Sequence, residues 1–323
     1  MPARPFALSR ILPDAPADDL AADVIRGFSL VPKQLPPRWL YDTRGSELYE
    51  RITRLPEYYP PRAELEILQD RAREIAAVTA ARTLIELGSG SSERTRLLLD
   101  ALGGPLTYVP VDVSESALVG AAEALVRERP GLTVHALVAD FQRGLVLPTV
   151  PWPRLIVFLG STIGNLLPAE RMAFLLVVRA AMLPGDALLL GTDLVKDEAT
   201  LVAAYDDAQG DTAAFNKNVL SVLNRELGAD FDPDSFEHIA LWDAEHEWIE
   251  MRLRARTALT VRIPGAGLSV ELAAGEDIRT EVSAKFRLPQ LHTELGAAWL
   301  EPSRSWTDRA GRYALTLAVP VPV

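Results

Sequence analysis

The sequence predicts an α/β fold with a doubly wound, parallel sheet and a second, inserted domain. Two observations predict this class. Apolar segments of strand length alternate with amphipathic helical segments up to about residue 195. The rhythm then breaks over residues 196–284, where helices and strand-like alternation follow one another, and it resumes after residue 286.

Five buried strands form the predicted parallel sheet, and together they make five strand–helix repeats. They are predicted over 83–87, 107–111, 133–138, 155–159 and 187–191. The helices of this part are predicted over 62–80, from Ser91 to about 99, over 115–129 and over 169–182.

The first strand passes into a glycine turn. Gly88 and Gly90 can adopt backbone conformations that are closed to other residues, and a ligand can lie against their main chain. Such a turn opens the first unit of a nucleotide-binding sheet, although a glycine pair alone fits an ordinary turn equally well.

Acidic residues follow the next two strands. Asp112 lies 22 residues after Gly90, where a carboxylate can accept hydrogen bonds from ribose hydroxyls. The alternative is that Asp112 caps the next helix. Asp140 and Phe141 follow the third strand, and this pair could hold an adenine amine and one ring face.

The fourth strand runs into a Gly-Ser-Thr-Ile-Gly-Asn segment that ends at Asn165. At this strand end a substrate would meet a cofactor, and the Asn165 amide oxygen could accept a hydrogen bond from an amine. The alternative is that Asn165 caps the next helix.

The remaining segments are predicted to form a second domain and a terminal hairpin. The domains are 62–195 with 286–323, and 1–61 with 196–285. In the second domain, helices are predicted over 17–28, 47–53 (capped by Ser46), 198–206 and 212–227, with strand-like segments over 236–242, 247–261 and 268–272. After residue 286, a helix is predicted over 288–298 and antiparallel strands over 300–306 and 312–319.

Composition excludes several classes of function. The chain has no cysteine, and its four histidines are far apart, so we predict no metal site. A net charge of −11 without a basic cluster argues against nucleic acid and anionic membranes as partners. We find neither an apolar run near the ~20 residues of a membrane helix nor a signal pattern. These observations predict a cytoplasmic protein, and we expect a monomer.

Several segments resemble a known family of enzymes. The glycine turn, Asp112, the LPGD segment before an apolar strand and the terminal hairpin are similar to seven-stranded methyltransferases that use S-adenosylmethionine (SAM). Over 19–319, the chain resembles the actinobacterial L-histidine Nα-methyltransferases of ergothioneine biosynthesis. The segments that carry this resemblance are LPPRWLYDTRGSELYERITRLPEYYP, FLGSTIGN, GTDLVKD, AYDDAQGDTAAFNKNVLSVLNRELGADF and TEVSAKF.

The resemblance implies a Rossmann-like SAM methyltransferase sheet with an inserted α+β substrate-binding domain. It implies three methyl transfers to the α-amino group of free L-histidine, which give hercynine. The SAM-binding residues would be Gly88, Arg94, Asp112, Asp140 and Phe141. The residues that hold the amino acid would be Tyr58, Asn165 and Tyr205 for its backbone, Glu281 and Ser283 for its imidazole, and Tyr41 beside its amine.

Elementary chemistry supports these roles but leaves alternatives. Glu281 and Ser283 stand two residues apart, so an extended strand puts both on one face, toward a ring or toward solvent. An aromatic ring such as Tyr41 suits a methylated, cationic nitrogen, although it could simply pack beside Trp39. Met251 could shape the ring pocket or belong to the core.

Two other functions fit the same sequence. The enzyme could methylate another amino acid or amine, such as tryptophan. The chain could also be a non-catalytic SAM-binding module that binds SAM without consuming it.

Overall fold

The computed structural model describes residues 6–11, 16–89, 94–104, 106–113, 115–141 and 144–322. The predicted opening of a helix at Ser91 and the turn residue Gly90 lie outside these ranges. The helices are α1 (Pro16–Phe28), α2 (Thr43–Ile52), α3 (Pro60–Thr79), α4 (Thr95–Leu102), α5 (Glu115–Glu128), α6 (Pro168–Ala181), α7 (Glu198–Tyr205), α8 (Asp211–Leu227) and α9 (Leu288–Ala297).

The strands fall into a large sheet, a smaller sheet and a separate hairpin. They are β1 (Phe6–Arg10), β2 (Lys33–Gln34), β3 (Thr83–Leu87), β4 (Thr107–Asp112), β5 (Thr133–Val138), β6 (Arg154–Phe158), β7 (Ala187–Asp193), β8 (Phe236–Asp243), β9 (Trp248–Ala255), β10 (Leu259–Ile263), β11 (Leu268–Leu272), β12 (Asp277–Ala284), β13 (Leu300–Thr307) and β14 (Tyr313–Pro320).

The chain divides into two compact units. Unit 1 comprises Met1–Pro13, Arg62–Leu194 and Phe286–Val323, and unit 2 comprises Asp14–Pro61 and Val195–Lys285. The sequence-based boundaries had placed residues 1–61 together, but β1 pairs in parallel with β5 and therefore belongs to unit 1.

Unit 1 is built on the large sheet, whose strand order is β1-β5-β4-β3-β6-β7-β14-β13. The strands from β1 to β7 pair in parallel, and β14 and β13 close the sheet as an antiparallel hairpin. The predicted α/β class is confirmed. The strand β1 was not predicted, so the described part of this sheet has eight strands rather than seven.

The apolar runs of β3, β6 and β7 explain why these strands lie in the centre of the sheet. Every residue of the three strands is buried. Strands covered on both faces lose alternation and become continuously apolar. Each fully buried leucine side chain contributes roughly 1.5–3 kcal/mol, so these strands carry much of the stability of unit 1.

Two local predictions are wrong. The described residues between β5 and β6 form no helix, so the five strand–helix repeats are interrupted there. Helix α2 begins at Thr43, not at residue 47, because Asp42 rather than Ser46 is its N-cap: the Asp42 carboxylate accepts the Gly45 N–H at 2.8 Å.

Unit 2 contains a four-stranded sheet in the order β2-β12-β9-β8, and the separate hairpin β10–β11. The segment predicted as one run of alternation over 247–261 is two strands, β9 and β10. Helix α8 packs on this unit's core through a buried stripe of Phe215, Val219, Leu220 and Leu223, the 3.6-residue spacing expected of an amphipathic helix.

Candidate active site

The glycine turn of unit 1 leaves open space beside the end of β3. Gly88 has a φ of +71°, and a Cβ atom built on it would meet no atom of the described residues within 4 Å. Its N–H donates to the Val111 carbonyl at 2.8 Å, which ties the turn to the end of β4. A ligand can therefore approach the main chain here, as a bound nucleotide requires.

The residues Asp112, Asp140 and Phe141 lie at this same edge, because β4 and β5 are the next parallel strands. Asp112 ends β4, and its carbonyl accepts the Ala139 N–H at 3.0 Å. The Phe141 ring is held edge-on to Phe158 at a centroid distance of 5.5 Å. Two carboxylates and a fixed aromatic ring are groups that fit a ribose and an adenine.

A buried carboxylate fixes Arg94. Glu64 of α3 is fully buried and forms an ion pair with Arg94. Its Oε1 atom accepts the Gly160 N–H at 2.8 Å and the Tyr313 hydroxyl at 2.7 Å. Burial, and next the charge of Glu64, raises the pKa of Tyr313 well above 10. Glu64 was not among the predicted site residues, although it is an acid within an otherwise amphipathic helix.

A second buried acid lies under the glycine turn. Glu86, two residues before Gly88, accepts hydrogen bonds from the Thr95 and Tyr108 hydroxyls. Burial raises the pKa of its carboxyl group to about 7, against the opposing effect of these two hydrogen bonds. Glu86 was also not among the predicted residues, and it connects β3 with β4 and with the first residue of α4.

Asn165 ends a 3₁₀ turn, Thr162–Asn165, that follows β6. The turn begins after Ser161, whose φ is +56° and whose hydroxyl accepts the Asp193 N–H of β7 at 2.9 Å. Helix α6 is capped at Leu167, whose N–H donates to the Glu170 carboxylate at 2.9 Å. The alternative that Asn165 caps this helix is therefore wrong.

Unit 2 holds a cluster of aromatic rings. Tyr41 packs edge-on against Tyr49 and Phe215, with centroids 5.5 and 5.3 Å away. Tyr58 packs edge-on against Tyr49 at 6.3 Å and against Tyr205 at 5.9 Å. The alternative partner of Tyr41, Trp39, instead donates its indole N–H to Asp23 at 2.8 Å.

The phenol of Tyr41 shares its surroundings with Glu281 and Tyr205. The residue as a whole is 43% exposed. Burial, then the charges of Glu281, Tyr49 and Tyr205, raises the pKa of Tyr41 well above 10. Burial likewise raises the pKa of Tyr58. Both phenols therefore keep their hydrogen at neutral pH and can donate it.

The predicted imidazole-binding pair lies on β12. Glu281 and Ser283 are 7% and 4% exposed, so the alternative of a solvent-facing strand is wrong. Met251 is paired with Glu281 in the register of β9 and is buried, which puts the two side chains on one face of the sheet. The Ser283 hydroxyl lies 2.7 Å from the Tyr205 hydroxyl.

Lys285 completes this group and was not predicted. It follows β12 directly and is 4% exposed. Its Nζ atom donates to the Ser283 hydroxyl at 2.8 Å and to the Tyr205 hydroxyl at 3.0 Å. The sequence did contain a signal for Lys285, because it stands two residues after Ser283 and this spacing puts both on one face of an extended segment.

The large sheet, with its antiparallel hairpin and with Gly88 at the end of β3, fits the class of SAM-dependent methyltransferases. The profile of a family described as "Histidine-specific methyltransferase, SAM-dependent" matches residues 20–320. The chain belongs to this family.

Named relatives agree with the family assignment. The chain is 52% identical to a histidine N-alpha-methyltransferase of Mycolicibacterium smegmatis, over 95% of this chain and 96% of the relative. It is 54% identical to the protein of the same name in Mycobacterium tuberculosis, over 93% and 94%. It is 35% identical to ergothioneine biosynthesis protein 1 of Neurospora crassa, over 61% of this chain and 23% of the relative.

The described part of the chain lacks two features. No group of three or more histidine, aspartate and glutamate side chains there is arranged to hold a metal ion. Of the helices described, none is long and apolar enough to cross a membrane.

Proposed function

We propose that the chain transfers methyl groups from SAM to the α-amino group of L-histidine, three times in succession, and so produces hercynine for ergothioneine biosynthesis. One observation carries the proposal. Two relatives named histidine N-alpha-methyltransferase are more than half identical to this chain along nearly their whole length. The buried Glu281–Ser283 pair, which suits a polar ring, supports the same conclusion.

Unit 1 supplies the groups that would hold SAM. Gly88 leaves room for the cofactor against the main chain, and Asp112 and Asp140 accept hydrogen bonds from its hydroxyl and amino groups. Phe141 offers a ring to the adenine. Arg94, held by Glu64, provides a fixed cation for a carboxylate. Bound SAM supplies an electrophilic methyl group on its sulfonium.

The amino acid would be held by its backbone and by its ring. Tyr58, Asn165 and Tyr205 bind the amino and carboxylate groups in this proposal. Glu281 accepts the ring N–H, and Ser283 contacts the other ring nitrogen. A residue such as phenylalanine would leave these buried groups unpaired, and the pocket would therefore reject it.

The two residues that we propose as catalytic act by orienting the amine. Methyl transfer needs a neutral amine whose lone pair points at the methyl carbon. The Asn165 amide oxygen accepts an amine hydrogen and so turns the lone pair away from itself. Positioning of this kind contributes up to about 7–11 kcal/mol in favourable cases.

Repeated methylation makes a second demand, because each product must bind again as a substrate. The amine loses hydrogen-bond donors and gains apolar surface with each methyl group. The Tyr41 ring suits an amine with fewer donors and more apolar surface, because its π face stabilises a methylated cation. The neighbouring rings of Tyr49 and Phe215 extend this surface.

Three accompanying predictions belong to the proposal. The reaction needs no metal ion, the protein is a monomer, and it acts in the cytoplasm. Neither nucleic acid nor a membrane is a partner. A net charge of −11 without a basic cluster supports the predictions about nucleic acid and membranes, and the absence of cysteine fits a reducing compartment.

One assay tests the proposal. Purified protein is incubated with SAM and each of the twenty amino acids, and the products are identified by mass spectrometry. We expect histidine to gain one, two and finally three methyl groups. If tryptophan is methylated instead, the substrate is tryptophan and not histidine. If SAM binds but no product forms, the chain is a SAM-binding module.

A further inference from the structure

Lys285, Ser283 and Tyr205 form a triangle of hydrogen-bonding groups. The Lys285 Nζ atom lies 2.8 Å from the Ser283 hydroxyl and 3.0 Å from the Tyr205 hydroxyl, which lie 2.7 Å from each other. The same Nζ atom is 4.6 Å from the centre of the Tyr205 ring. All three residues are buried, so the triangle is held away from bulk water.

The triangle has a fixed hydrogen-bonding polarity. An ammonium group donates and cannot accept, so both hydroxyl oxygens use a lone pair on Lys285. The two hydroxyls have two hydrogens, and one of them is used between Tyr205 and Ser283. The second hydroxyl hydrogen must point out of the triangle, from whichever of the two hydroxyls does not donate within it.

Glu281 has the opposite polarity. It stands two residues before Ser283 on β12, and its charge acts on the same Tyr41 phenol as Tyr205 does. An ionised carboxylate only accepts. Glu281 therefore offers an acceptor, and the neighbouring triangle offers a donor backed by a cation.

We infer that Lys285 is a positioning residue, which fixes the Tyr205–Ser283 hydroxyl pair as a donor toward the ring nitrogen of histidine that carries no hydrogen. Neutral imidazole has one N–H and one bare nitrogen, so in one tautomer it matches Glu281 and the triangle together. Imidazolium has two N–H groups, and one of them would face a donor and a buried cation. Lys285 thus selects the neutral ring; this inference rests on the proposed function.

A double-mutant cycle on the full-length protein tests the inference. Lys285→Met, Ser283→Ala and the double variant are compared with wild type by kcat and KM for histidine. Each single change should raise KM about tenfold, with kcat within about threefold. The double variant should be little worse than either single variant, because Lys285 acts through the hydroxyl that is already lost.

Two controls separate positioning from folding. Lys285→Arg keeps the cation and its donors, and should recover part of the lost affinity for histidine. Lys217→Met removes a lysine of α8 in the same unit and should leave KM unchanged. SAM affinity, measured by calorimetry, should stay within about twofold in every variant, since Lys285 belongs to unit 2.

The outcomes are distinct. KM effects that multiply in the double variant, an unchanged KM for Lys285→Met, or an equal loss of SAM affinity would each overturn the inference. If wild type forms no methylated histidine, the proposed function itself is wrong. If wild type methylates histidine but the KM effects of the two single variants multiply in the double variant, only the role inferred for Lys285 is wrong.

Discussion

The two units hold their predicted site residues in different ways. In unit 1, Gly88 follows β3, Asp112 ends β4 and Asp140 lies two residues after β5, so the backbone ladder itself determines where they lie. In unit 2, Tyr205 and Ser283 come from α7 and β12 and are joined through side-chain hydrogen bonds. We therefore expect that the effects of single substitutions on ligand affinity are independent of one another in unit 1. In unit 2, we expect a second substitution to add little to the effect of the first.

The largest expected effect concerns the buried Glu64 cluster, the part of unit 1 that is joined by side-chain contacts. A Cβ atom on Gly191 would lie 2.4 Å from the Glu64 carboxylate and 2.5 Å from the Tyr313 hydroxyl. Gly191→Ala should therefore disrupt the buried Arg94–Glu64 pair and lower the free energy of unfolding by about 3 kcal/mol. Chemical denaturation measures this value.

The matched control is Gly120→Ala. Gly120 is an exposed residue of α5, and within the described part of the chain a Cβ atom there would meet nothing within 4 Å. Replacing a helical glycine at such a position should stabilise the protein by about 0.5–1 kcal/mol. Equal effects at both positions would contradict the assigned role of the Glu64 cluster.

The next largest effect should come from Glu281→Ala in unit 2. Removing the carboxylate leaves the ring N–H of histidine without its acceptor, so histidine should bind about a hundredfold more weakly. SAM affinity should be unchanged. Calorimetry measures both, with Glu237→Ala on the exposed part of β8 as the control. Normal histidine binding would show that the pocket is assigned wrongly.

A pH experiment tests the buried acid under the glycine turn of unit 1. The pKa of Glu86 rises from 4.5 to about 7 on folding, so the folded protein holds a proton that the unfolded chain releases in this window. The free energy of unfolding therefore falls as the pH rises from 4.5 to 7, by up to roughly 3 kcal/mol.

Glu86→Gln removes this titration. Its amide oxygen can accept from one of the Thr95 and Tyr108 hydroxyls, and its NH2 group can donate to the oxygen of the other, as a protonated carboxyl group does. The difference in the free energy of unfolding between variant and wild type should grow in favour of the variant between pH 5 and 7. Denaturation curves at several pH values measure it, and parallel curves for the two proteins would refute the assignment.

The smallest effect should come from Asp112→Ala. Its loss removes one carboxylate among several groups at the strand ends, so SAM should bind about tenfold more weakly. Histidine affinity should not change. A double variant tests whether substitutions in unit 1 act independently. The loss of SAM affinity in Asp112→Ala combined with Asp140→Ala should be the product of the losses in the two single variants.

The sequence could predict where the proposed site residues of unit 1 lie in the sheet, for a physical reason. Strands such as β3 and β6 can be predicted because their segments are mostly apolar. The residues at the carboxyl ends of parallel strands then lie at one edge of the sheet. Asp112 and Phe141 could therefore be placed from position alone. Strand β1 escaped prediction because it is a five-residue edge strand with an exposed surface, which shows no apolar pattern.

The site of unit 2 could be found only through family resemblance. Nothing in the spacing of Tyr41, Tyr205 and Ser283 says that their side chains converge, because their elements meet through tertiary packing. The resemblance named most of these residues but not Lys285, whose partners become evident only in three dimensions. Glu64 escaped for the same reason, since its contacts lie 30 to 249 residues away.

Strand β1 has a practical consequence for handling the protein. It covers the side of β5, the strand that leads to Asp140 and Phe141. A truncation that removes residues 6–10 would leave the amide and carbonyl groups of β5 without partners along that side, and bare strand edges promote aggregation. Shortened variants of the protein should therefore retain residues 6–10.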